Sequence, residues 1–170
     1  YNAMQPGVFA LSGWDLVGAL PLPADQVADL MLDGDTRWIH RGAYDLVDLN
    51  PQAQISQGQM PRAKTLYGSL TEQLEDPESF ASQLQRILAA RRAYDIAASR
   101  QILVPDVEHP ALLVMVHELP AGKGTQITAL NFGATAITET LHLPSISPGP
   151  VVDIINERVE GDLTPEGEFT

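Results

Sequence analysis

Apolar positions along this chain change their spacing near residue 100. Before that point they sit in runs broken by Gly and Pro, or recur at helical intervals. After it they form short stretches separated by Pro and Gly, the pattern of strands. Residues 1–99 are therefore expected to be helix and loop, and residues 100–170 an antiparallel β domain, which makes the fold class α+β.

Within the first part, Gly7 to Leu22 is apolar but interrupted by Gly13, Gly18 and Pro21, so it reads as a loop with a short buried stretch. Pro23 to Met31 predicts a short helix, with Val27, Leu30 and Met31 on one face. Asp33-Gly34-Asp35 ends it. Asn50 to Gln59 is polar and expected to be an exposed loop. Pro61 to Leu70 is a second short helical candidate. The strongest helical pattern runs from Pro77 to about Ser99. Asp76 suits the N-cap and Pro77 the first helical position, and Phe80, Leu84, Ile87, Leu88 and Tyr94 recur on one face.

Beyond residue 100 the period is two. Leu112 to Val116 is apolar on both faces and predicts a buried central strand. Pro120 to Gly124 is a turn, Gln126 to Phe132 the return strand, Ile137 to Leu143 a third strand and Val151 to Ile155 a fourth. Glu166 to Phe169 begins one more, so the domain, a meander or sandwich, reads as incomplete at its C-terminus. Tyr1-Asn2-Ala3 precede Met4, read as an expression remnant, and do not enter the fold expectation.

Charge narrows the partners. The chain carries 22 acids against 10 bases, a net −12. That argues against nucleic acid and against anionic membrane surfaces, both of which need clustered Lys and Arg. There is no cysteine, which removes disulfides, thiolate metal sites and cysteine nucleophiles. No stretch approaches the ~20 apolar residues of a membrane span. A soluble, cytoplasmic protein is expected, with no cofactor and no metal.

Common catalytic signatures are missing. There is no G-x-S-x-G elbow, and Gly122-Lys123-Gly124-Thr125 lacks the upstream glycine of a phosphate loop and joins two strands. His40, His109, His117 and His142 have no metal-ligand spacing. His117 is expected to be a hydrogen-bonded histidine on a strand rather than a ligand. The richest chemistry lies in the first part, where Trp14, Asp15, Arg37, Trp38, His40, Arg41 and Tyr44 combine aromatic rings, carboxylates and guanidinia. Sugar sites use that mix, because rings stack on pyranose C–H surfaces and planar polar groups bind adjacent hydroxyls. The same residues also fit a plainer role, with Trp14 and Trp38 in a core and Asp–Arg pairs bracing loops.

The segment Ser79 to Tyr94 resembles the last barrel helix of the α-amylase family of glycoside hydrolases. The run Leu112 to Phe132, ending Ala129-Leu-Asn-Phe132, resembles the start of that family's C-terminal β domain, and Ile137 to Pro144 its next strand. Upstream, Ser12 to Leu22, Gly34 to Leu46 and Met60 to Gly68 resemble the trehalose synthase (maltose α-D-glucosyltransferase) branch. The resemblance implies that residues 1–99 close a (β/α)8 barrel of the TIM type and that residues 100–170 form a sandwich-like β domain packed on it. It also implies maltose- and trehalose-type sugars as partners of the complete protein. That family cleaves α-glucosidic bonds with retention using three carboxylates on barrel strands, and those strands would lie upstream of this chain. No catalytic residue maps here, so the chain is expected to be inactive alone, whether a piece of a longer enzyme or the product of a truncated gene. Its role would be structural, with a carbohydrate-binding or protein-interaction module as the alternative. A severed fragment would also form homo-oligomers through the helix face left without its barrel.

Overall fold

A computed structural model describes all residues, 1–170. The fold is mixed helix and sheet, and every sheet is antiparallel. The chain forms two compact units: Ala10–Gln85, and Tyr1–Phe9 together with Arg86–Thr170. No helix is long and apolar enough to cross a membrane.

The unit Ala10–Gln85 is mostly loop. It holds α1 (Gly13–Val17), α2 (Leu70–Glu75) and two 3₁₀ segments, Ala24–Met31 and Thr36–His40. The first of these replaces the helix expected at Pro23 to Met31: Val27 leaves helical geometry at φ −129°, and its side chain is buried with Leu22 and Ala63. Trp14, Met31, Trp38, Ile39 and Met60 pack around that small core. The helix expected between Pro61 and Leu70 is instead extended, bridging from Thr65 to Ala19 and from Arg62 to Ala43. Helical structure begins only where Ser69 and Glu72 form a capping box. Residues 50–59 are an exposed loop, as their polarity predicts.

Helix α3 (Phe80–Ala93) starts later than the Asp76–Pro77 signal implies. The Asp76 carboxylate accepts the Glu78 N–H (2.9 Å) in a tight turn, and it is the Ser79 hydroxyl that accepts the Ser82 N–H (3.2 Å) at the first helical turn. The helix stops before Ser99 because Asp95 is left-handed at φ 51°, and a 3₁₀ turn, Ile96–Ala98, follows. The side chains buried on α3 include Ala81, Ser82, Ala90 and Arg91, whereas Phe80 and Leu88 of the expected apolar face remain 37% and 36% exposed.

In the other unit, β1 (Arg100–Leu103), β2 (Leu112–Glu118) and β3 (Thr125–Asn131) form one sheet with β2 in the middle. Strand pairs β4 (Leu141–His142) with β7 (Glu168–Phe169), and β5 (Gly149–Asp153) with β6 (Arg158–Leu163), form two smaller sheets. One face of β2 presents Val114 and Val116 to a core shared with Leu141, Leu143 and Leu163. The opposite face carries Met115 and His117, and all four of these β2 residues are buried. Period-two alternation makes that two-sided burial possible.

This unit departs from the sequence reading at three places. Only Leu141–His142 of the Ile137–Leu143 stretch pairs, with Phe169 and Glu168, while the Glu139 carboxylate ahead of it accepts the N–H groups of Glu108 and His109. Strand β6 has no apolar alternation; its residues are largely exposed, with Leu163 alone buried, so its pairing leaves no sequence signal. Ala3 is buried and its carbonyl is bonded by Arg91, so the first residues belong to the fold.

Candidate functional site

The seven candidate residues all fall in the Ala10–Gln85 unit, and the structure brings some of them together. Asp15 is engaged locally: its Oδ2 accepts from the Ser12 N–H (3.2 Å) and hydroxyl (2.8 Å), while the Ser12 hydroxyl accepts the Asp15 N–H. This box starts α1, and Gly18 in the left-handed region (φ 60°) ends it. Trp14 projects from α1, and its Nε1–H donates to the Gly42 carbonyl at 2.8 Å. The His40 ring meets the Trp14 ring edge-on, with centroids 6.2 Å apart. Tyr44 lies against Gly13, where any Cβ would fall 2.4 Å from the phenolic oxygen. Trp14, His40 and Tyr44 thus converge around one turn of chain.

The other candidates brace the second 3₁₀ segment. Asp35 caps it, accepting the Arg37 N–H at 3.0 Å. The Arg37 guanidinium returns a forked pair to the same carboxylate, at 2.7 and 2.8 Å. The side-chain and backbone hydrogen bonds from Arg37 hold the Asp35 carboxyl at about 2 and raise Arg37 itself. Arg41 stacks its guanidinium 4.5 Å above the Trp38 ring. Asp15 and Arg37 are therefore committed to local bracing, and Trp14 and Trp38 are half-buried in the small core. This is the plainer of the two roles that the sequence allows for these four.

Tyr44 is different. It is 39% exposed and lines an open cleft of about 380 Å³ with Asn50, Ile55, Ser56, Gln57 and Arg62. Asp45 and Arg62 build the cleft wall. The Asp45 carboxylate accepts the N–H groups of Asn50 (2.6 Å) and Leu49 (3.0 Å), and the Asn50 bond chiefly holds it below the usual carboxylate range. Arg62 Nη1 donates to the carbonyls of Asn50, Pro51 and Ala53. Both charges are tied to the backbone, and Tyr44, Asn50 and Gln57 add a phenol and two primary amides to the lining. Asn50, Gln57 and Arg62 carry no spacing signal in the sequence; the 50–59 loop gathers them only by folding back.

No group of three or more His, Asp or Glu side chains is placed to hold a metal ion. The histidines have separate environments. His109 Nδ1 accepts the Ala111 N–H, and His142 faces Glu168 at 3.5 Å on the surface. His117 departs from its expected role: it is fully buried, and neither ring nitrogen has a hydrogen-bond partner. Burial pushes its pKa below the ordinary 6.5. Gly122 to Gly124 lie in the turn between β2 and β3 and Thr125 opens β3, and Lys123 Nζ bonds Asp95 and the Ala93 carbonyl. A scan against family models and searches of curated proteins and of solved structures return no match to this chain.

Proposed function

We propose that this chain is the non-catalytic C-terminal part of an α-amylase-family enzyme of the trehalose synthase type, acting on maltose and trehalose in the complete protein. In that reading residues up to 99 close a (β/α)8 barrel and residues 100–170 are a sandwich-like β domain that packs on it. The observation that carries the reading is the state of α3. Its small side chains Ala81 and Ala90 are buried, while Phe80 and Leu88 remain over a third exposed. Large apolar side chains left half-covered on a capped helix suit an element whose packing partner belongs to a longer protein. The β2–β3 hairpin that follows, paired from Leu112↔Asn131 to Glu118↔Thr125, suits the opening of the β domain in the same order along the chain.

The test begins with the reading frame upstream of residue 1. The proposal expects it to encode barrel strands carrying three carboxylates. It further expects the longer protein to convert maltose to trehalose and the 170-residue chain to convert none. An upstream frame without a barrel, or turnover by this chain alone, overturns it.

A second reading, a carbohydrate-binding surface, is favoured by the Tyr44 cleft. An exposed ring in a cleft also lined by Asn50 and Gln57 offers stacking and hydroxyl chelation, with the Asp45 and Arg62 charges tied to the backbone. Titration with maltose to millimolar concentration, followed by calorimetry and by the amide NMR shifts of residues 44–62, should give a saturable change that Tyr44→Ala abolishes. A flat titration removes this reading and leaves the first untouched.

A further inference from the structure

The N-terminal segment Tyr1–Phe9 lies over the His117 face of the β1–β2–β3 sheet. Hydrogen bonds do most of the holding. Arg91 Nη1 donates to the carbonyls of Ala3 (2.7 Å) and Gln5 (2.6 Å), and its Nη2 donates to that of Gly7. Gln126 Nε2 donates to the Met4 carbonyl at 2.9 Å, and the Gly7 N–H donates to the Ala97 carbonyl at 2.8 Å. The Tyr1 hydroxyl touches Met115 Sδ at 3.9 Å. Apolar anchoring is modest: Ala3 is buried, Met4 and Phe9 are half-buried, and Val8 is 98% exposed.

Beneath this strap lies an uncommon concentration of unpaired polar atoms. His117 Nδ1 and Nε2, Gln126 Oε1 and Gln5 Nε2 are all buried without a partner. His117 and Gln126 are direct cross-strand neighbours and so share a face. Each such group costs roughly what a lost hydrogen bond does while the strap is closed, and regains water when it opens. The closed strap is therefore held by one face of bonds against a standing desolvation cost on the other.

We propose that residues 1–9 are an acid-released strap, closed while His117 is neutral and opened when its imidazole takes up a proton. The groups around that ring offer nothing to hold an imidazolium. Its cross-strand partners are Gln101 on β1 and Gln126 on β3, and Gln126 in turn bonds the Thr128 hydroxyl and the Met4 carbonyl of the strap, all neutral. The charged group reaching the strap from α3 is Arg91, a cation itself. Glu118 is on the opposite face of β2, paired with Arg100 at 2.7 Å. Closed, the ring titrates below its ordinary 6.5; open, it returns to that value. Between the two, the open state binds one more proton, so closure is complete above about pH 6.5 and weakens as pH falls.

Hydrogen exchange on the full chain tests this, with the Gly7 amide reporting the strap and the Val116 amide the sheet. From pH 7.5 to 5.5 the Gly7 protection factor should fall, by up to the about tenfold that one-proton linkage allows, while Val116 protection holds. In His117→Leu, and in His117→Gln as the more conservative variant, Gly7 protection should lose that pH dependence. A wild-type Gly7 protection factor that does not change with pH overturns the proposal. So does loss of Gly7 and Val116 protection together, or a pH dependence that survives in whichever variant folds.

Discussion

The two units are built on opposite economies of structure. In the Arg86–Thr170 unit, side chains from three small sheets meet in one apolar core, and alternation along β2 fills both of its faces. In the Ala10–Gln85 unit the one apolar cluster is Leu22, Val27 and Ala63, Val17 and Ala81 are buried apart from it, and much of the order comes from side chains bonded to backbone. Gln73 is its hub. The Gln73 amide donates to the Leu16 carbonyl (2.8 Å) and accepts the Ala81 N–H (3.1 Å), and its own carbonyl accepts from the Ser79 and Ser82 hydroxyls. Ser12, Asp35, Asp45, Arg62 and Ser69 do similar work at individual turns. A core built by burial is legible as periodicity, whereas one built by side-chain caps and braces is not.

Substitutions can break that contrast. Leu143→Ala should have the largest effect, about 2–5 kcal/mol, since Leu143 is wholly buried in the sheet core. The loss should appear as a lower denaturant midpoint for the β2 amides followed by hydrogen exchange. Gln73→Ala should cost about 1–3 kcal/mol, because the Ala81 N–H and the Leu16 carbonyl would lose buried partners. Trp14 and Trp38, the two tryptophans of the chain, lie in that unit, so fluorescence-detected unfolding reads it directly. Should Gln73→Ala prove silent, the small core is holding the unit and the contrast fails. Ser69→Ala comes next, near 1 kcal/mol by the same readout, for the loss of the cap on α2.

Arg37→Ala should change stability least, because the pair with Asp35 is exposed and water screens it. Its signature is in titration. Asp35 titrates at about 2 when paired and should move toward 3.8 in the variant, as followed by carboxyl NMR. The sign follows from the lowered value: whatever the pair contributes is present above about pH 3.8 and is lost as pH falls toward 2. An unmoved Asp35 midpoint would show that its backbone bond to Arg37, rather than the guanidinium, sets it.

How far the sequence could be read follows the same division. The β2–β3 hairpin, its Gly-rich turn and the buried central strand are written in apolar runs and in Gly122 and Gly124. The polar 50–59 loop was equally plain. Helix α3 was visible but its start was not, since Asp76, Pro77 and Ser79 all suit a helix N-terminus and only the bond from the Ser82 N–H to the Ser79 hydroxyl decides among them. At the candidate site, Trp14 and Trp38 have a chemistry that a ring in a core shares with a ring in a sugar site. Tyr44 remains the candidate that lines the cleft.

The sequence by itself determined the mixed α+β class, the antiparallel half, the acidic surface charge and the lack of thiol chemistry, because composition and short-range periodicity act before any long-range contact forms. Only the tertiary structure decided which polar groups were committed and which were left over. It set Asp15, Arg37 and Arg62 to bracing loops, left Tyr44 facing a cleft, and enclosed His117 beneath the Tyr1–Phe9 segment without a partner. Hydrogen bonds between groups as far apart as Arg91 and Ala3 depend on where the chain returns, and residue spacing does not encode that return.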